Sequence, residues 1–141
     1  MQPRADLNSL FDTYKSSVLN KDVDALMSIY GHDFVAFDMW GAWCHVGDGP
    51  WREVNQKWLG SLGSGTVVME FDDINIIPGD DVSAAHATVT YRGLSDTGEV
   101  LRSMQNRLTW IAKRTNGIWK IVHQHTSAPI EPGTMKAKFH R

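Results

Sequence analysis

The sequence predicts an α+β domain in which helices cover one face of a curved sheet. Three observations carry this expectation. Apolar residues recur at helical spacing up to about residue 63, alternate at spacing two from residue 66 onward, and an Asn116-Gly117 dipeptide joins the last two apolar runs. Helices first and hairpin-linked strands after them form the pattern of a layered α+β fold.

Each element has its own signal. Residues 5–20 read as an amphipathic helix, with Leu7, Leu10, Phe11, Tyr14 and Val18 on one stripe. A second helix starts at Asp22, a good N-cap, carries Val23, Leu26, Met27 and Tyr30, and is expected to end at Gly31. Phe34 to Asp38 reads as a short strand. Asp48-Gly49-Pro50 marks the start of a third helix with Trp51, Val54, Trp58 and Leu62 on one face. Four strands follow, at 66–77, 82–92, 100–113 and 118–127, separated by Pro78-Gly79-Asp80-Asp81, by the loop 93–98 and by Asn116-Gly117. Residues 128–141, with Pro129, Pro132 and Gly133, read as a tail or a pocket lid. No linker or repeat divides the chain, so residues 1–141 are read as one domain.

Composition narrows the function classes. With 42% hydrophobic and 21% charged residues the chain is an ordinary globular sequence rather than a disordered one. Fourteen Lys and Arg against sixteen Asp and Glu leave a net charge of -2, without the basic surplus of a nucleic-acid binder. No apolar run is long enough to span a bilayer, and the N-terminus lacks the apolar core of a signal peptide. Cys44 is the only cysteine, so no intrachain disulfide argues for secretion, and a cytoplasmic protein is the expectation. The unusual feature is six tryptophans.

The last hairpin brings candidate chemistry together. A two-residue turn at Asn116-Gly117 sets Thr115 opposite Ile118, which places Trp110 opposite His123 and Leu108 opposite His125. Asn106, Leu108, Trp110, His123, His125 and Ser127 then share a face, an aromatic wall bearing hydrogen-bonding and titratable groups. In the first strand Asp38 alternates onto the same side as Phe34, Ala36 and Trp40. A carboxylate among apolar neighbours is a candidate general base. Histidine can both take and give a proton near neutral pH. His123 and His125 also have a possible metal-ligand spacing, but no recognisable third-ligand spacing accompanies them, and no metal is expected.

Taken together, these residues resemble a family. The opening Leu19-Asn-Lys-Asp-Val-Asp-Ala-Leu26 and the ending Asn116-Gly-Ile-Trp119-Lys-Ile-Val-His123-Gln-His125-Thr-Ser127 resemble the nuclear transport factor 2-like superfamily. That superfamily includes SnoaL-like and ketosteroid isomerase-like domains and the association domain of calcium/calmodulin-dependent protein kinase II. The resemblance implies a cone-shaped, mostly antiparallel (mixed) sheet with three N-terminal helices over its concave face. It also implies a cavity that works without an organic cofactor, as in polyketide cyclases, scytalone dehydratase, epoxide hydrolases and a lignin-derived diarylpropane lyase. Carried over from ketosteroid isomerase, Tyr14 matches the oxyanion-hole tyrosine and Asp38 the general base. Asn106 stands nearest to the protonated aspartic acid of that enzyme, whose pKa tuning is a reference case.

The expected activity is therefore a cofactor-independent isomerase, dehydratase, cyclase or C–C lyase acting on a hydrophobic aromatic or polycyclic molecule. Asp38 or His125 would be the base, and Tyr14, Asn106 and His123 the donors to developing oxygen charge. Trp40, Trp43, Trp58, Leu108 and Trp110 would line the substrate cavity, and Arg107 would meet an anionic group. Trp51 and Trp119 need only packing to explain them. The rival expectation is a non-catalytic ligand-binding or oligomerisation module. Both imply a homodimer, formed through the outer sheet face.

Overall fold

A computed structural model describes residues 3–141 of the chain. Helix α1 (Pro3–Leu19) buries Leu7, Phe11, Tyr14 and Val18 along the expected stripe and packs on strand β3. Helix α2 (Val23–Met27) is capped by Asp22, whose Oδ1 accepts from the Ala25 N–H at 3.0 Å. Removing that acceptor in Asp22→Ala is expected to cost about 1 kcal/mol, read as a lower urea midpoint. The helix is one turn shorter than expected. Tyr30 and Gly31 belong instead to strand β1 (Tyr30–Phe37), because Tyr30 already pairs with Ile121 of the last strand.

A two-residue strand β2 (His45–Val46), not expected from the sequence, pairs with β1 before helix α3 (Asp48–Gly60). The long strands are β3 (Thr66–Ile77), β4 (Val82–Leu94), β5 (Val100–Thr115) and β6 (Ile118–Ser127). They form one mixed, curved sheet in the order β2-β1-β6-β5-β4-β3, with β1 and β6 parallel and every other pair antiparallel. Asn116 and Gly117 both have positive φ, 53° and 78°, as a two-residue turn matched to strand twist requires.

The core lies between the helices and the inner face of this sheet. Trp110 is its centre: fully buried, stacked on Phe11 at 4.2 Å and flanked by Phe71. On β4 the inner face is built from small residues, Ser83, Ala85 and Ala87, followed by Val89. That gradient leaves room for large side chains from α1 and β5 at one end of the sheet.

The hairpin register departs from expectation at one residue. Near the turn Thr115 faces Ile118 and Ala112 faces Ile121, as expected, but beyond the turn-proximal pairs Ile111 faces His123 and Trp110 faces Gln124. Val122 is the extra residue of a β-bulge, and a one-residue bulge turns every later side chain of its strand to the opposite face. Gln124 and Thr126 therefore point into the core side and are buried, while His123, His125 and Ser127 lie on the outer face with Arg107, Thr109 and Ile111.

After β6 the tail folds back on itself through an Ile130–Ala137 bridge. The Gln105 N–H donates to the Phe139 carbonyl at 2.6 Å, and Arg141 pairs with Asp73 at 2.9 Å. Phe139 stacks on Trp40 at 5.5 Å. No helix among the described residues is long and apolar enough to cross a membrane.

Candidate active site

A cavity of about 550 Å³ opens between helix α3 and the inner face of the sheet. Asp38, immediately past the end of β1, is half-buried in its wall, and its Oδ1 accepts from the Thr126 hydroxyl at 3.0 Å. Among the described residues no cation pairs with this carboxylate. Thr126 reaches it only because the bulge at Val122 turned it inward.

Three tyrosines gather around this carboxylate. Tyr14 from α1 and Tyr91 from β4 line the cavity, and Tyr30 stands behind them at the start of β1. Burial holds the Tyr14 hydroxyl well above the ordinary tyrosine range, and the neighbouring Tyr30, Tyr91 and Asp38 push it further, against an opposing hydrogen bond with Gln124. Burial likewise raises Tyr30. Tyr91 is pushed up to about 12, mainly by burial, with the Asn106 hydrogen bond opposing and the Asp38 charge adding. All three are therefore protonated donors at neutral pH rather than bases.

The sign of the linkage follows from these directions. A tyrosine whose folded pKa is raised contributes stability that is complete below the unfolded value of 10.0 and is lost as pH rises through about 12. The urea midpoint is expected to fall across that window, and to fall less steeply in Tyr91→Phe.

Gln124 fixes the base of the cavity. Its Oε1 accepts from both the Tyr30 hydroxyl at 2.8 Å and the Trp110 indole N–H at 2.9 Å, which uses both lone pairs and orients the side chain. Asn106 Nδ2 lies 3.4 Å from the Tyr91 hydroxyl, while its Oδ1 is buried with no partner.

Of the residues singled out in the sequence, Tyr14, Asp38, Asn106, Trp40 and Trp58 line this cavity. Leu108 and Trp110 face the same side but are sealed in the core behind the wall. Trp43 does not reach it: it is 96% exposed, in the irregular segment between β1 and β2. His123 and His125 are corrected to the outer face by the bulge. The His123 ring nitrogen lies 2.8 Å from the Val35 carbonyl, and both imidazoles flank Phe37. Arg107 also lies outside, donating from Nε to the Ser127 hydroxyl at 3.1 Å. Among the described residues no three His, Cys, Asp or Glu side chains converge as metal ligands.

Tyr91, Gln124, Thr126 and Trp51 also line the cavity, which the sequence did not lead one to expect. Tyr91 could have been found by continuing the inward alternation Ala85, Ala87, Val89 along β4. Gln124 and Thr126 could not, since their facing depends on the bulge.

Residues 7–131 match the family model of the SnoaL-like domain. The chain belongs to this family. No curated protein matches it. Among solved structures, the SnoaL-like chain is similar to a nuclear transport factor 2-like protein of unknown function from Pseudomonas putida. The two share 25% identity, 96% of this chain and 92% of that one are covered, and the TM-score is 0.83. It also shares its fold with a candidate calcium/calmodulin-dependent protein kinase II association domain from Xanthomonas campestris, at 17% identity, 89% and 86% coverage and a TM-score of 0.74. A candidate aromatic ring hydroxylase from Novosphingobium aromaticivorans shares it at 19% identity, 89% and 87% coverage and a TM-score of 0.70.

Proposed function

We propose that this SnoaL-like domain is an acid/base enzyme acting, without an organic cofactor, on a hydrophobic aromatic or polycyclic small molecule. The observation that carries the reading is the company of Asp38. A half-buried carboxylate with one hydroxyl partner shares an aromatic-walled cavity with the protonated hydroxyls of Tyr14 and Tyr91 and with Asn106. Asp38 takes a proton from a carbon beside a carbonyl, and Tyr14 and Asn106 donate to the oxygen on which charge develops. The enolate so formed can be reprotonated elsewhere, expel a leaving group or close a ring, which covers isomerase, dehydratase, lyase and cyclase outcomes alike.

Trp40 and Trp58 supply faces for offset stacking of a ring. The tail, resting Phe139 on Trp40, serves as a lid at the rim. On the outer sheet face Phe37 and Ile111, 43% and 37% exposed, form the surface through which a cytoplasmic homodimer would pack. The kinase association-domain relative supports the rival reading, a binding or oligomerisation module.

Deuterium exchange into 2-tetralone, an aromatic ketone with acidic α-protons, separates the two. The enzyme reading expects exchange in heavy water well above the buffer rate. A module would bind the ketone and leave the buffer rate unchanged, which would overturn the reading.

A further inference from the structure

Among the described residues lining the cavity, Arg102 is the one cation and Asp38 the one anion. Arg102 stands on β5 directly opposite Gly93 of β4. A Cβ at position 93 would meet Arg102 Cγ at 3.3 Å and Nε at 3.5 Å, so the glycine lets the arginine stem lie flat across the neighbouring strand. The guanidinium is thereby laid along the cavity wall at its exposed rim. Among the described residues no carboxylate pairs with it, whereas Arg52, Arg92, Arg114 and Arg141 each have an acidic partner.

Strand geometry sets the spacing. Asn106 follows Arg102 by four residues on β5, and at 3.3–3.4 Å per residue the two positions are roughly 13 Å apart. Thr126, the partner of Asp38, is paired still further along, opposite Leu108. Between the two ends stand Trp58 and Tyr91, edge-on to one another at 6.3 Å. The cavity thus has an anionic, donor-rich inner end, an aromatic middle and a cationic rim, separated by the length of a two-ring ligand.

We propose that Arg102 selects aromatic acids: elongated ligands that carry a carboxylate at the end remote from the reacting carbon. The planar guanidinium fork matches a carboxylate in two parallel hydrogen bonds. The Asp38 charge repels the same group, so the ligand enters one way round. This specificity rests on the reading of the cavity as a substrate pocket.

Biphenyl-4-carboxylate and its neutral isostere biphenyl-4-carboxamide test it, with binding followed by quenching of tryptophan fluorescence. The wild-type chain is expected to bind the carboxylate about three- to tenfold more tightly, with the preference shrinking as salt is raised. Arg102→Gln is expected to bind the two equally, with a circular-dichroism spectrum and urea midpoint like those of the wild-type chain showing an intact fold. Equal binding by the wild-type chain overturns the assignment to Arg102 and leaves the pocket standing. A carboxylate preference that survives in Arg102→Gln also overturns it. If neither probe binds, the pocket reading falls together with the inference.

Discussion

Asp38→Asn is expected to lower the rate of α-proton exchange into a bound aromatic ketone by roughly 10²–10⁴-fold. The substitution is nearly isosteric, and an amide oxygen can still accept from the Thr126 hydroxyl that now holds the carboxylate at 3.0 Å. What is lost is the group that takes the proton. The same change carries a second readout. The Asp38 charge is among the causes that raise Tyr14 and Tyr91, so tyrosine ionisation followed by ultraviolet absorbance should begin at lower pH in the variant. A fall in exchange together with that spectroscopic shift ties the loss to the carboxylate. A fall without it points to a collapsed cavity.

Trp110→Ala is expected to cost about 3–5 kcal/mol, the range for truncating a buried aromatic in a core that cannot fully close. The side chain is wholly buried and stacked on Phe11, with Phe71 and Tyr14 also against it. Its indole N–H is one of the two donors that orient Gln124. Truncation therefore opens a void and frees the residue that steadies the tyrosine group. Against a total stability of about 5–15 kcal/mol this is a large share, and the urea midpoint by circular dichroism should show it. Trp110→Phe keeps a ring beside Phe11 and gives up mainly the hydrogen bond, at about 1–2 kcal/mol.

The legibility of the chain divides along physical lines. The limits of β3 and β6 were readable because turn residues bracket apolar, β-branched runs, and Asn116-Gly117 dictated the turn that follows β5. Tyr14 and Asp38 are legible because α1 keeps its helical period up to Tyr14 and β1 alternates regularly from Phe34 to Asp38. Tyr30 reads as helical because its spacing from Met27 suits a helix, and only the pairing with Ile121 shows that it begins a strand. Trp43 looked like cavity wall by composition alone, yet it stands in irregular chain where no periodicity aims a side chain.

The bulge at Val122 has no signal in the sequence. His123-Gln124-His125-Thr126 is polar on both faces, so no hydrophobic pattern opposes a slip of one residue. A slip of that size exchanged His123 and His125 for Gln124 and Thr126 as cavity residues. With it the imidazoles leave the cavity face, and an amide and a hydroxyl take their place beside Asp38. Asp38, by contrast, keeps the position expected of it because it is reached from β1, upstream of the bulge.

Proton transfer on the inner face of the sheet is the central claim. The most direct test measures deuterium exchange into 2-tetralone for Asp38→Asn and for the double variant His123→Ala, His125→Ala side by side, both checked for folding by circular dichroism. The expected result is exchange near the buffer rate in the first and near the wild-type rate in the second. Loss of exchange in the histidine variant, with Asp38→Asn still active, would contradict the account.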